Sequence, residues 1–327
     1  VRSVSMPAEF SRHERTVICW PARSEIYGSR LAEAQTAHAA LANTISGYEP
    51  VSVIANPSDV ANARRACAEN VEVVALEIDD AWFRDSGPNY VIENGELLAT
   101  CWQFNGWGEK FVPFDKDATI ASRWAKHAGH KTRMIDMVLE GGSINVDGAG
   151  TLITTEQCLL NPNRNPKLSR EQIADRLCKE LGQKQVVWLP FGLVLDDDTD
   201  GHVDNVAAFI GPKTVIMQGC DDKNEEDFAR CATNIAVAKA AGLTVHEIPV
   251  LPFVVTDSIR AAVPYLNFYI CNNAVIVPVC GHDADSEMLA LLGEFIPSHD
   301  IVGLEIGEIL ARGGGGIHCI TQQVPAV

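Results

Sequence analysis

One order of elements recurs along this chain: a short apolar strand, a tight turn, a second strand, an amphipathic helix and a third strand. The first copy pairs 89–92 with 96–100 across Glu93-Asn94-Gly95, an Asn-Gly hairpin signal, and continues to a helix near 117–128 and a strand over 133–138. The second runs 143–146, a turn at 147–150 and 151–155; its helix opens at Ser169 with Gln172 three positions on, a capping box, before a strand at 185–189. The third is 207–210, Gly211-Pro212-Lys213, 214–217, a helix near 224–241 closed by Gly242, and 243–248. The fourth is 266–270, Cys271-Asn272-Asn273, 274–279, a helix near 285–295 and a strand near 301–305. A fifth closes only if the termini meet, with 316–322 and 16–20 as its hairpin, a helix near 29–45 and the strand 51–55; a further helix (58–68) and strand (71–77) lead into the first copy. Helices spaced by about 50–60 residues suit a radially repeated α/β fold in which each unit buries its face on its neighbours. No linker of biased composition divides residues 1–327, so one domain is expected. A doubly wound sheet is the competing architecture, but no GxGxxG follows the first strand, and hairpins recur where a parallel sheet has crossovers.

Bulk properties narrow the partners. A formal charge of −17 opposes nucleic acid, whose phosphates would be repelled, and favours a small cationic substrate. Ten cysteines without any CxxC pair suit a reducing cytoplasm better than a disulfide scaffold or a zinc knuckle. The apolar runs are too short and too interrupted by charge to span a membrane, and no basic start with an apolar core precedes Met6. Assembly into a homo-oligomer is left open.

The run Gly313-Gly314-Gly315-Gly316-Ile317-His318-Cys319 strips side chains from the backbone just before a cysteine, within a segment (317–320) that reads as a strand. Other unusual polar residues fall at the entry of successive modules: Asp85 before the first hairpin, Glu140 before the second, His202 and Asp204 before the third, and Cys319 at the split fifth. Each has an ordinary structural explanation alone, as a turn former, a loop cap or a packed thiol. Related by rotation, however, equivalent positions converge on one axis. A metal site is disfavoured, since His202 and Asp204 at i, i+2 on a strand have no further HxH or HExxH. A thiol protease is disfavoured because carboxylates would destabilise a developing oxyanion. Carboxylates suit a planar cation, and a guanidinium pairs with them in bidentate fashion. Cysteine, histidine and three acids therefore read as attack on a guanidinium carbon.

Those residues lie in motifs that, in order and over nearly the whole chain, resemble the agmatine deiminases, within the bacterial peptidylarginine-deiminase-like group of the pentein (guanidine-modifying) superfamily. The motifs are Met6-Pro7-Ala8-Glu9, 80–88, 139–143, 154–166, 201–205, 267–270 and 313–323. The resemblance implies a five-bladed α/β-propeller and hydrolytic deimination without metal or organic cofactor. It implies Cys319 as nucleophile, His202 as general acid and then base, and Asp85 and Asp204 as clamps on the guanidinium. It implies that Glu140 orients His202, that Trp82 covers the substrate chain, that Asp198 faces a distal amine and that Gly316 belongs to the substrate-binding loop. The cationic substrate and a protonated His202 would help to ionise a thiol surrounded by acids.

The chain departs from the family pattern at Gly316, where Asn is usual, in the acidic stretch Asp196–Asp200, and in a short 249–264 region. These departures leave the particular guanidine open. In a deiminase of free or peptidyl arginine, Arg12, Arg164, Arg260 or Arg312 would be the candidates to hold a carboxylate. An amidinotransferase and a non-catalytic guanidine-binding protein are the remaining alternatives. Cys101, Cys158 and Cys220 read as core or edge residues.

Overall fold

The computed structural model describes residues 3–327. Its strands form six separate small sheets rather than one wound sheet. Five repeat one plan, in which an antiparallel hairpin leads through a helix to a third strand parallel to the hairpin's second. Asn89–Glu93 and Glu96–Gln103 are joined by Asp117–His127 to Lys131–Val138. The other copies end on Gln185–Leu189, Thr244–Ile248, Asp300–Leu304 and Val51–Ala55. A parallel neighbour needs a long crossover and an antiparallel one only a turn, which is why each helix falls between the second and third strands. The fifth copy is split as expected: Thr321–Pro325, near the C-terminus, pairs antiparallel with His13–Cys19.

Local chemistry sets these elements. Asn94 and Gly95 both take positive φ (51° and 84°), which the tight first hairpin requires. Arg170–Leu181 opens on the reciprocal Ser169–Gln172 capping box and ends at Gly182 in the left-handed conformation. The helices bury one face each into five apolar clusters; one of them joins Leu41 and Ile45 to Tyr269, Ile276, Ile317 and Ile320, tying the fifth module to the fourth.

Two expectations need correction. Residues 317–320 are a single helical turn, and the strand begins only at Thr321. Its backbone groups are satisfied by other segments instead of a ladder: the His318 N–H donates to the Asn267 backbone and side chain, and Arg84 Nε reaches the His318 carbonyl. His202 and Asp204 do not share a strand face, because Val203–Asn205 is a 3-10 turn whose entry is held by Asp196, which accepts from the His202 N–H at 2.9 Å. The segment 249–264 contains an additional hairpin, Phe253–Thr256 with Ile259–Ala262, outside the five-module plan. Among the described residues no helix is long and apolar enough to cross a membrane.

Every module entry is a short turn. Phe83–Ser86, Gly141–Ser143, Val203–Asn205 and Ile317–Ile320 each stand immediately before a hairpin strand or within a few residues of one. At the fourth entry the Asn267 N–H closes a turn on the Pro264 carbonyl. These turns pack against one another: Phe83–Ser86 touches both Ile317–Ile320 and Gly141–Ser143, and Gly141–Ser143 touches Val203–Asn205.

Candidate active site

Two glycines map the convergence of the entry turns. A methyl on Gly142 would lie 2.7 Å from His202 Nδ1 and 2.8 Å from both Asp204 Oδ2 and Asp85 Oδ1, so three functional groups close around a bare Cα. A methyl on Gly315 would meet the Trp82 ring at 2.6 Å and Cys319 Cβ at 3.2 Å. Both positions exclude any side chain. The Cys319 thiol, Asp85, Trp82, Asp198, Trp107, Phe111 and Thr199 line one narrow cavity, and among the described residues no lysine or arginine lines it. The structure thus brings together Cys319, Asp85, Asp204, His202, Trp82 and Asp198 from three modules.

The electrostatics follow from burial beside like charges. Burial raises the Cys319 thiol well above its ordinary value, and Asp204 and Asp85 push it further. Cys319 Sγ stands 3.6 Å from Asp204 Oδ2 and receives the Asn267 amide at 3.3 Å. Burial alone would lower His202; Asp85, Cys158 and Asp204 outweigh it and raise the imidazole well above its ordinary value. Asp85 is raised chiefly by burial. Its Oδ1 accepts from the Gly142 N–H and its Oδ2 from Trp107 Nε1, both at 2.9 Å. Trp107 is held in the left-handed region (φ 55°, ψ 47°) to make that bond, a strained conformation of the kind that collects at functional sites.

Four buried polar atoms at the site have no hydrogen-bond partner among the described residues: Glu140 Oε2, Asp204 Oδ1 and both ring nitrogens of His202. A buried unpaired group costs about 1–3 kcal/mol; the two carboxylate oxygens, in one place, prepare a site for a ligand with several N–H groups. The other Glu140 oxygen takes Arg164 Nε at 2.6 Å, a fully buried ion pair. Cys158, read from sequence as a core thiol, is buried but stands beside His202: Glu140, Cys158 and His202 each place a ligand atom within 4.8 Å of the others. Such a trio can hold a metal ion, yet the Arg164 guanidinium already bonded to Glu140 repels a second cation there.

Arginine partners answer the question of a carboxylate site. Arg164 is spent on Glu140, Asp200 and the Thr199 carbonyl. Arg260 pairs with Glu225 and Arg312 with Asp257. Arg12 is exposed and does not line the cavity. The acidic stretch is equally divided. Asp196 holds His202 and Asn205 and is itself pushed up to about 6 by burial, whereas Asp200 pairs with Arg164 and Lys110. Asp198 keeps its carboxylate toward the cavity, 2.6 Å from where a Gly314 side chain would begin. At Gly316 a Cβ would come within 2.4 Å of Asn267 Oδ1, so the glycine allows Asn267 to close on Cys319.

Sequence reasoning missed Asn267, Trp107, Arg84, Glu9 and His318 as site residues. Asn267 was within reach: it occupies in the fourth module the entry position that carries functional residues in the others. Arg84, Glu9 and His318 lie in recognised motifs, but their partners are up to 309 residues away and no spacing reveals them.

A cysteine and histidine enclosed by carboxylates, at the meeting point of repeated ββαβ units, define a guanidine-modifying class of α/β protein. The sequence profile of the Porphyromonas-type peptidyl-arginine deiminases matches residues 5–325. The chain belongs to that family. It is 43% identical to the agmatine deiminase of Stutzerimonas stutzeri, over 98% of this chain and 95% of the relative, and 40% identical, with the same shares covered, to that of Pseudomonas aeruginosa. The solved agmatine deiminase of Enterococcus faecalis superposes with a TM-score of 0.94 at 34% identity, covering 99% of this chain and 96% of the other. A cysteine-to-serine variant of the C. jejuni agmatine deiminase with substrate bound gives 0.93 at 30% identity, covering 99% and 97%.

Proposed function

We propose that this chain hydrolyses the imine C–N bond of a small guanidine, converting agmatine and water to N-carbamoylputrescine and ammonia through a covalent adduct on Cys319. One observation carries the reading: the cavity beside Cys319 is lined by carboxylates and aromatics, and among the described residues no lysine or arginine lines it to receive a substrate carboxylate. Agmatine has a guanidinium and a distal ammonium and no carboxylate. Its relatives in name and sequence are agmatine deiminases.

The guanidinium enters between Asp85 and Asp204 and beneath Trp82, with its free N–H groups toward Asp204 Oδ1 and Glu140 Oε2. Its charge offsets the acids that hold the thiol protonated, so Cys319 ionises as substrate binds. The thiolate adds to the guanidinium carbon, the C–N bond breaks, and His202 supplies the proton with which ammonia leaves. Water then gives its proton to His202 and adds to the amidino carbon. The C–S bond breaks, releasing the ureido product and the thiol. Glu140, held by Arg164, stands beside His202. Asp198 pairs with the distal ammonium at the mouth.

The five entry turns fit a closed ring of five ββαβ units in a single catalytic domain, with the site on the axis. Ten free cysteines suit a reducing cytoplasm.

Ammonia release from agmatine, arginine and a peptidylarginine, each with Cys319→Ala as control, tests the function. The expected result is turnover of agmatine, at least about 1000-fold above arginine, lost in the control. Turnover of arginine at a comparable rate would overturn the substrate assignment, and release that survives in Cys319→Ala would overturn the mechanism.

A further inference from the structure

Behind Asp204, on the side away from the cavity, lies a buried chain of charges that the reaction above does not use. His318 Nδ1 is 2.9 Å from Asp204 Oδ2, and His318 Nε2 is 2.8 Å from Glu9 Oε2. A carboxylate only accepts, so an imidazole bonded to one at each nitrogen carries both protons and a positive charge. Glu9 is itself tethered: its Oε1 accepts the Ile270 N–H at 2.8 Å, and Arg84 Nη2 stands 3.3 Å from its Oε2. Arg84 also holds Gln323 Oε1 and the His318 carbonyl, while the His318 N–H is bonded to Asn267. The imidazolium is thus fixed at its ring and at its backbone. All four charged groups are buried.

We propose that Glu9 and His318 form a charged strut that positions Asp204 for guanidinium recognition, making His318 a positioning residue of the reaction. The bond from His318 occupies Asp204 Oδ2 and leaves Oδ1, the buried atom without a partner, as the acceptor for a substrate N–H. The strut also adds to the compensation that His202 and Arg84 give the Asp204 charge, 3.6 Å from the Cys319 sulfur. The proton affinities agree. Burial would raise Asp204, but the His318 bond and charge bring it below its ordinary value. Burial likewise opposes ionisation of Glu9, yet His318 and Arg84 hold it down at about 2. Burial and Arg84 disfavour the His318 proton, and Glu9 and Asp204 more than restore it. The inference rests on Asp204 binding the guanidinium.

The test compares alkylation of Cys319 by 2-chloroacetamidine, a cation with the shape of a guanidinium end, and by neutral 2-chloroacetamide. The ratio of the two rates reports cation recognition, and general damage to the fold lowers both rates together. In His318→Gln the ratio is expected to fall at least about tenfold, as it does in Asp204→Asn. Glu9→Gln gives an independent readout. With one carboxylate removed, and Arg84, Asp204, Cys319 and Asn267 still facing the ring, His318 loses its proton at lower pH. The alkaline limb of kcat/KM for agmatine then moves to lower pH. If Asp204→Asn collapses the ratio while His318→Gln leaves it unchanged and Glu9→Gln leaves the limb in place, the strut is refuted and the guanidinium site stands. If Asp204→Asn itself leaves the ratio unchanged, the reading beneath the proposal fails and the strut fails with it.

Discussion

At the scale of single residues, the carboxylates of the site disfavour the thiolate until a cation arrives. Burial and the carboxylates of Asp204 and Asp85 keep Cys319 as a neutral thiol. A raised thiol pKa means that the reactive thiolate appears only at high pH. Alkylation of the unliganded protein at Cys319 by neutral 2-chloroacetamide is therefore expected to climb with pH well beyond the ordinary thiol range, and a bound, unreactive amidine should shift that rise to lower pH. A rate that levels off near neutrality without ligand would contradict this. Gly142 makes a steric prediction. A methyl would intrude to 2.7–2.8 Å on His202, Asp204 and Asp85 at once. Misplacement of reacting groups by about 1 Å costs about 100-fold, so Gly142→Ala is expected to lower kcat/KM for agmatine by that factor or more. Retention of activity within a few-fold would show that the three groups need not be so closely held.

At the scale of elements, the hairpins and crossover helices were legible because each leaves a local signature: Asn94-Gly95 at a turn, Ser169 with Gln172 at a cap, and the fifth hairpin split between the termini. The entry turns were not legible as turns. A single helical turn has too few residues for a period, and its backbone groups are satisfied by distant partners, as Asn267 does for His318. Their place in the repeat was legible, and that alone located Asp85, Glu140, His202, Asp204 and Cys319. Helix Asp117–His127 carries a separate test. Burial, with Asp80 and Asp79 adding to it, pushes Asp117 up to about 8, against the bond from the Asp79 N–H and the charge of Arg23. A carboxyl raised in the folded state contributes stability below its unfolded value, and that contribution is lost as pH rises through about 8. Asp117→Asn keeps an acceptor for the Asp79 N–H and removes the titration. Between pH 5 and pH 9 the variant is expected to gain at least about 1 kcal/mol relative to the parent chain, measured by urea unfolding. A difference that does not change with pH would show that Asp117 is ionised throughout.

At the scale of the whole molecule, a chain with a formal charge of −17 concentrates part of that charge around one cysteine and, among the described residues, places no lysine or arginine on the wall of the cavity at that cysteine. The family and the kind of chemistry were readable from motif order because the repeat delivers one functional position per module. The supporting charges were not readable. Arg164 behind Glu140, and Glu9 with His318 behind Asp204, act through contacts between segments that lie far apart in sequence. The proposed reaction depends on one event, the attack of Cys319 on the guanidinium carbon. The direct measurement is acid quench of the protein during turnover of agmatine, followed by intact mass and peptide mapping. The predicted result is an adduct on the peptide containing Cys319, with the mass of agmatine less one ammonia. Steady turnover with no such adduct, or with the adduct on another of the ten cysteines, would contradict it.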